Sequence, residues 1–213
     1  MLNSLLAKLS RNSRVRVHGK HSASVFRQCQ NRYLKERCAS LGARRVLNVG
    51  AQPKSVDKEG ECYEDYFPQA EFFTLDLTPA QHPRHIVADL MDLSNVNQKF
   101  DLILMMSVLE HVEKPFLAAE KLRKLMTDDG YLYLTLPFFY PVHEGPHFGD
   151  FWRFTPAAIS QVFDYCDVVS QDHYPSVIRA VADRKNYWNE AESTYTGFSV
   201  LLRNQQHAET KAA

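Results

Sequence analysis

The stretch FDLILMMSVLEHV, Phe100 to Val112, decides the fold. Its first seven residues are an almost unbroken apolar run carrying one charge, Asp101, which is the pattern of a strand covered on both faces in a parallel sheet. The run stops at Ser107, and an acid and a histidine, Glu110 and His111, follow at once. Next, Pro115 to Met126 sets Phe116, Leu117, Ala119, Leu122 and Leu125 along an amphipathic helix, with Asp128-Asp129-Gly130 read as the turn that closes it. Tyr131 to Leu136 is a second apolar run. Strand, crossover helix, strand is the unit from which open α/β sheets are built.

Outward from this unit the alternation continues. Arg45 to Val49, Glu71 to Leu75 and His85 to Ala88 read as strands before it, with helical stretches expected between them. After it, Thr155 caps a helix with Pro156 at its first position, and Asp167 to Ser170 and Gly197 to Arg203 read as closing strands. The expected fold class is α/β, a Rossmann-like, seven-stranded, mostly parallel sheet with helices on both faces. With 213 residues, 45% of them apolar, the chain has material for one core. Residues 41–204 are expected to form that domain, residues 1–40 a basic N-terminal helical extension, and residues 205–213 a flexible tail.

The 25 basic and 25 acidic side chains cancel, so net charge gives no reason to expect nucleic acid as a partner. Their distribution is uneven. Lys8, Arg11, Arg14, Arg16, Lys20, Arg27, Arg32 and Lys35 all precede the first acid, Glu36. With Leu2, Leu5, Leu6 and Leu9 at helical spacing, this start fits a transit peptide, a helix lying on a membrane surface, or a solvated helix. It is too short and too charged to span a bilayer. Cys29, Cys38, Cys62 and Cys166 form no C-x-x-C pair, so neither a zinc knuckle nor a disulfide framework is expected. A cytoplasmic setting, peripheral to a membrane if the basic start lies on one, follows as the expectation.

In an open α/β sheet, ligands bind beyond the carboxyl ends of the strands. Those ends carry VLNVGAQP (Val46 to Pro53), FFTLDL (Phe72 to Leu77), ADLMDL (Ala88 to Leu93) and SVLEHV (Ser107 to Val112). Gly50 permits a tight turn close to a ligand, and Asp76, 26 residues later, is placed as an acid that grips ribose hydroxyls. That pair alone is shared by many nucleotide-binding proteins. The full set, from Arg44 to Thr155, resembles the class I S-adenosylmethionine-dependent methyltransferases whose fourth strand runs into a V-L-E-H-V helix start. The resemblance implies S-adenosylmethionine as cofactor, with Gly50 and Ala51 along its methionine portion and Asp76 on the ribose. It implies Leu77 against the adenine, Asp89 and Leu90 at the adenine edge, and Met106 and Ser107 beside the sulfonium. Glu110 and His111 fit either positioning of the acceptor or local packing. The chain departs from the family's first motif, an acid followed by G-x-G, at Asn48, Gln52 and Pro53.

The segment LPFFYPVHEGPHFGDFWRFTP, Leu136 to Pro156, contains HEGPH, a literal H-E-x-x-H. Gly145-Pro146 opposes the helix that a zinc protease needs there, so that chemistry is rejected. The segment resembles a loop of methyltransferases found with glycan-assembly enzymes, matched here by Pro141, His143, Asp150, Trp152, Arg153, Phe154, Thr155 and Pro156. His143 or His147 is then a candidate base oriented by Asp150, with Trp152 and Arg153 toward the substrate. The plainer reading has Trp152 and Phe154 packing the loop and Arg153 pairing with Asp150. No metal is expected, a cluster of His143, Glu144, His147 and Asp150 ranking below the base reading. The function expected is S-adenosylmethionine-dependent methyl transfer to a small-molecule or glycan-linked acceptor, at oxygen. The alternative is a silent methyltransferase-fold scaffold, suggested by Asn48, Gln52 and Pro53. A nicotinamide enzyme is disfavoured because G-x-G-x-x-G is absent. Nothing in the sequence points to an oligomeric state.

Overall fold

Seven strands make one sheet: β1 (Arg45–Val49), β2 (Glu71–Asp76), β3 (His85–Val87), β4 (Phe100–Met106), β5 (Met126–Pro137), β6 (Cys166–Pro175) and β7 (Tyr195–Asn204). They lie in the order β3-β2-β1-β4-β5-β7-β6. The pairs from β3 to β5 are parallel, and β7 runs antiparallel to both β5 and β6. The computed structural model describes residues 24–175 and 195–205. The leucines at 2, 5, 6 and 9 and the tail beyond Gln205 lie outside the described residues.

The two sides of the central strands follow the two-residue period of an extended chain. Leu47, Val49, Ile103, Met105, Leu132 and Leu134 join one core with Ala118, Leu122 and Leu125 of α2 (Pro115–Leu125) and Ile159 of α3 (Pro156–Val162). Val46, Leu102, Leu104 and Tyr133 join the other, with Leu34 and Cys38 of α1 (Val25–Cys38). Ser24 caps α1 by accepting from Arg27 N at 3.1 Å, and Lys35 and Arg37 in its last turn suit the helix dipole. Because Leu34 and Cys38 are fully buried against the sheet, the packed unit starts upstream of the residue 41 drawn from sequence. Thr155 caps α3 through Ala158 N at 3.2 Å, with Pro156 first in the helix.

Two local expectations are corrected. The segment between β1 and β2 is irregular apart from a single 3-10 turn, Tyr63–Tyr66, and no helix joins β2 to β3. Pro53, Gly60 and Pro68 in the first connection, and Pro79 and Pro83 in the second, each oppose a continuous helix. Asp128-Asp129-Gly130 is not a turn but part of β5, at a register shift opposite Phe100 and Leu102. A Cβ on Gly130 would sit 3.0 Å from Thr127 O and 3.1 Å from Phe100 O, so the bulge needs a glycine.

A polar network replaces the missing helix as the tie between α1 and the β1–β2 connection. Tyr63 OH accepts from Gln30 Nε2 at 2.8 Å and Arg27 NH1 at 3.1 Å, and faces Asn31 Oδ1 at 2.9 Å and Asp57 Oδ2 at 3.1 Å. Gln30 Oε1 in turn accepts from Thr135 Oγ1 at 2.8 Å, anchoring the network to the carboxyl end of β5.

Candidate active site

Parallel register brings the carboxyl ends of three strands level: Val49 pairs with Leu75 on one side and Met105 on the other. The residues just beyond are Gly50, Asp76 and Met106-Ser107, so three of the motif positions fall on neighbouring strand ends. Gly50 has φ +71° and donates to Leu75 O at 2.7 Å. A Cβ there would meet Val108 Cγ2 at 2.6 Å, so the turn is closed by the chain leaving β4. Ser107 also sits in the left-handed region, with φ +55°, and its N–H reaches Thr135 O at 2.9 Å. A non-glycine residue held there is uncommon and concentrates at functional sites.

The half-buried Asp76 accepts from Thr78 N at 2.7 Å through Oδ1, which fixes the carboxylate at the strand end. Leu77 beside it is 61% exposed, an apolar side chain presented to solvent. Asp89 Oδ1 accepts from Met91 N at 2.8 Å, whereas the Leu90 side chain is buried in the core, leaving its backbone for any ligand contact. Gln52 turns its amide to Thr78 O at 3.1 Å, tying the β1 loop to the β2 loop. His85 Nε2 meets the same carbonyl at 2.9 Å.

The V-L-E-H-V segment forms a 3-10 turn, Leu109–His111, rather than the start of a helix. That tight turn drives Glu110 inward and leaves His111 half-buried facing the loop after β5. Backbone bonds from Phe151 N at 2.8 Å and Trp152 N at 3.2 Å to Glu110 O clamp that loop onto the turn. Four chemically active side chains meet there. Glu110 Oε1 lies 3.8 Å from His111 Nε2 and 3.8 Å from His143 Nε2. His143 Nδ1 lies 3.1 Å from Asp150 Oδ2, and His111 Nδ1 is 2.6 Å from Gly149 O. Burial pushes the Glu110 carboxyl up to about 8 and the His111 imidazole down. The hydrogen-bonded Arg153 guanidinium holds the Asp150 carboxyl well below the usual carboxylate range.

Arg153 makes a two-pronged contact with Asp150 and also donates toward Tyr140 O at 3.3 Å and Pro141 O at 3.4 Å. It therefore fastens the loop to itself, which is the plainer of the two roles read from sequence. Trp152 Nε1 donates to Val112 O at 2.9 Å. Both residues line a cavity of about 500 Å³ with Phe138, Phe139, Tyr140 and Phe151. A β-turn starting at Gly145 of HEGPH is closed by Phe148 N to Gly145 O at 3.4 Å, with Gly145 N donating back to Phe148 O at 3.0 Å, and His147 is exposed and stands apart from the cluster. Glu110, set aside from sequence as packing or positioning, is the residue around which the cluster is arranged.

A methyltransferase-domain family model matches residues 26–174. This chain belongs to that family. No curated protein matches it at the sequence level. Among solved structures, the methyltransferase is similar to the N-methyltransferase NodS from Bradyrhizobium japonicum WM9 in complex with S-adenosylhomocysteine, with TM-score 0.57 and 14% identity over 95% of this chain and 97% of that one. It is similar to the 1,6-didemethyltoxoflavin-N1-methyltransferase of Burkholderia thailandensis, with TM-score 0.57 and 15% identity over 96% of this chain and 87% of that one. An S-adenosylmethionine-dependent methyltransferase from Archaeoglobus fulgidus gives TM-score 0.59 and 13% identity over 84% and 94%. The methyltransferase thus has the seven-stranded Rossmann-like sheet of its family, with β7 as the antiparallel strand.

Proposed function

We propose that this methyltransferase uses S-adenosylmethionine to methylate a hydroxyl of a small-molecule or glycan-linked acceptor. The observation that carries the reading is the alignment of Gly50, Asp76 and Ser107 on adjacent strand ends, beside the pairing of His111 on the turn after β4 with His143 on the loop after β5. The fit to the cofactor rests on three features. Gly50 leaves no side chain at the turn, Asp76 offers a fixed carboxylate for a diol, and the exposed Leu77 offers an apolar face for a base. Bound S-adenosylmethionine supplies an electrophilic methyl group. The chain's own residues must exclude water, align the acceptor oxygen and remove its proton.

Oxygen is favoured over nitrogen because basic groups converge here. A neutral amine needs no base before it attacks, whereas a hydroxyl does. Phe138, Tyr140, Phe151 and Trp152 give the cavity flat apolar walls of the kind that stack on sugar rings or planar small molecules. Asp150 and Arg153 keep the loop that carries His143 and these walls in one shape. The basic residues from Lys8 to Lys20 support peripheral contact with anionic lipid, and deleting residues 1–20 is expected to release the protein from anionic vesicles without changing cofactor affinity.

Calorimetric titration with S-adenosylmethionine and S-adenosylhomocysteine tests the core of the reading. Micromolar binding is expected, reduced at least tenfold in Asp76→Ala. Absence of binding to either compound overturns it in favour of a silent scaffold.

A further inference from the structure

Glu110 is fully buried, yet neither of its carboxylate oxygens has a hydrogen-bond partner among the described residues. Burying a carboxyl group with nothing donating to it is costly, so the groups around it must be asked what satisfies it. Two imidazole nitrogens approach it, His111 Nε2 and His143 Nε2, each 3.8 Å from Oε1. Neither is arranged as a donor. His111 Nδ1 meets Gly149 O at 2.6 Å, and a carbonyl only accepts, so the ring proton sits on Nδ1. His143 Nδ1 faces two acceptors, Asp150 Oδ2 at 3.1 Å and Pro141 O at 3.2 Å, with the same consequence. In both rings Nε2 is left as a lone pair 3.8 Å from the carboxylate. A protonated Glu110 would close to about 2.7–2.9 Å on one of them, and instead the two separations are equal and long.

Three electron-pair donors converge with no hydrogen bond among them, and an ionised Glu110 lacks a counter-charge there until a cation stands in the middle. We infer that Glu110, His111 and His143 form a binding site for a divalent transition metal ion. Their donor atoms all lie within 4.8 Å of one another. Around an ion with bonds of about 2.0–2.2 Å, neighbouring donors stand roughly 3.0–3.5 Å apart, so the two 3.8 Å separations close by less than an ångström on loading and a separation at the 4.8 Å limit by about 1.3–1.8 Å. Two imidazoles and one carboxylate suit Zn²⁺, Co²⁺ or Fe²⁺ and leave coordination positions open. Gly149 O and Pro141 O accept the two Nδ1 protons, and Asp150 Oδ2, 3.1 Å from His143 Nδ1, accepts from His143 N at 2.9 Å, the outer-shell arrangement that orients metal-binding histidines. Side-chain exposure of 35% at His143 against 0% at Glu110 puts the open side toward solvent at the loop, beside the aromatic cavity. Its use in catalysis rests on the methyl-transfer reading: an ion held by Glu110, His111 and His143 would act as a Lewis acid that makes an acceptor hydroxyl easier to deprotonate.

The test is titration of the metal-stripped full-length protein with Co²⁺, read by its visible absorption, and with Zn²⁺ in competition, with bound metal counted by mass spectrometry after dialysis. One equivalent is expected at micromolar or tighter affinity. Glu110→Gln and His143→Ala should each weaken it at least 100-fold and Asp150→Asn about 10–100-fold, while His147→Ala leaves it unchanged. His143 lies in a surface loop, so His143→Ala remains decisive if Glu110→Gln fails to fold. Wild-type affinity weaker than millimolar, or unchanged affinity in His143→Ala, overturns the inference. Cofactor titration on the same samples separates the readings: metal without cofactor binding sinks only methyl transfer, and cofactor without metal binding sinks only the metal site.

Discussion

Gly50→Ala isolates what the β1 turn requires. Two costs are imposed by the structure and can be separated. An L-residue at φ +71° costs about 1–2 kcal/mol relative to glycine. The new Cβ also lies 2.6 Å from Val108 Cγ2, with the other Val108 carbons at 3.6 and 3.7 Å, so a single methyl group makes the clash. Val108 is β-branched and packs against the main core, so moving that methyl forces an off-rotamer side chain or a backbone shift, about 1–3 kcal/mol. The sum is about 2–5 kcal/mol of lost stability. Replacing Val108 by alanine removes the clashing methyl but leaves the backbone cost, so the double variant should recover about 1–3 kcal/mol in a double-mutant cycle. Urea unfolding of wild type, both single variants and the double variant measures all four corners. A Gly50→Ala effect below about 0.5 kcal/mol, or additive single effects, would refute the geometry of the turn.

Asp57 stands at the centre of the polar network. Burial opposes its charge, but hydrogen bonds from Asn31 Nδ2 at 2.8 Å and from Glu61 N and Glu59 N at 2.9 Å outweigh that and lower its pKa. Its contribution is present above the ordinary carboxylate pKa and lost as pH falls through the lowered folded value. Asp57→Asn should therefore be destabilised at pH 7 and converge with wild type in acid, and a difference that grows on acidification defeats the argument. Among the cysteines, burial pushes the Cys166 thiol up to about 12 and buries Cys38 completely, while Cys62 is half-buried. With about one Cys166 in ten thousand ionised at pH 8, iodoacetamide should label Cys62 first in the native protein. Peptide mapping that finds Cys38 or Cys166 labelled as fast contradicts the packing.

The sheet was legible where hydrophobic period and chain punctuation agree. Phe100–Met106 and Arg45–Val49 are strands with the bounds read from their apolar runs, and Thr155-Pro156 starts a helix as its residue types require. Errors came where one residue type serves two ends. Asp128-Asp129-Gly130 has turn composition, yet the same glycine admits a strand bulge against Phe100 O, a choice made by the partner strand. The helical connections expected from β1 to β3 failed because prolines cut them, and Tyr63, unremarkable in sequence, holds α1 in place through a hydroxyl reached from Arg27 and Gln30.

The strand-end residues were accessible to sequence because parallel register converts linear position into spatial neighbourhood; Gly50, Asp76 and Ser107 need only the right strand order to meet. The acid-histidine cluster was not, and the reason is geometric. His143 and His147, four residues apart in HEGPH, look like partners, but a β-turn separates them, whereas His143 meets His111 from another loop with ring centroids 4.8 Å apart. The organising atom pair is Glu110 Oε1 and Oε2, and its burial depends on a 3-10 turn where an α-helix was expected. A helix there would have changed which of Glu110 and His111 faced inward. The departure at Gln52 resolves on the same footing: its amide is spent on Thr78 O, which also takes His85, so the side chain that seemed to crowd the first motif braces the loop carrying Asp76. The departure from G-x-G therefore does not by itself argue for a silent protein.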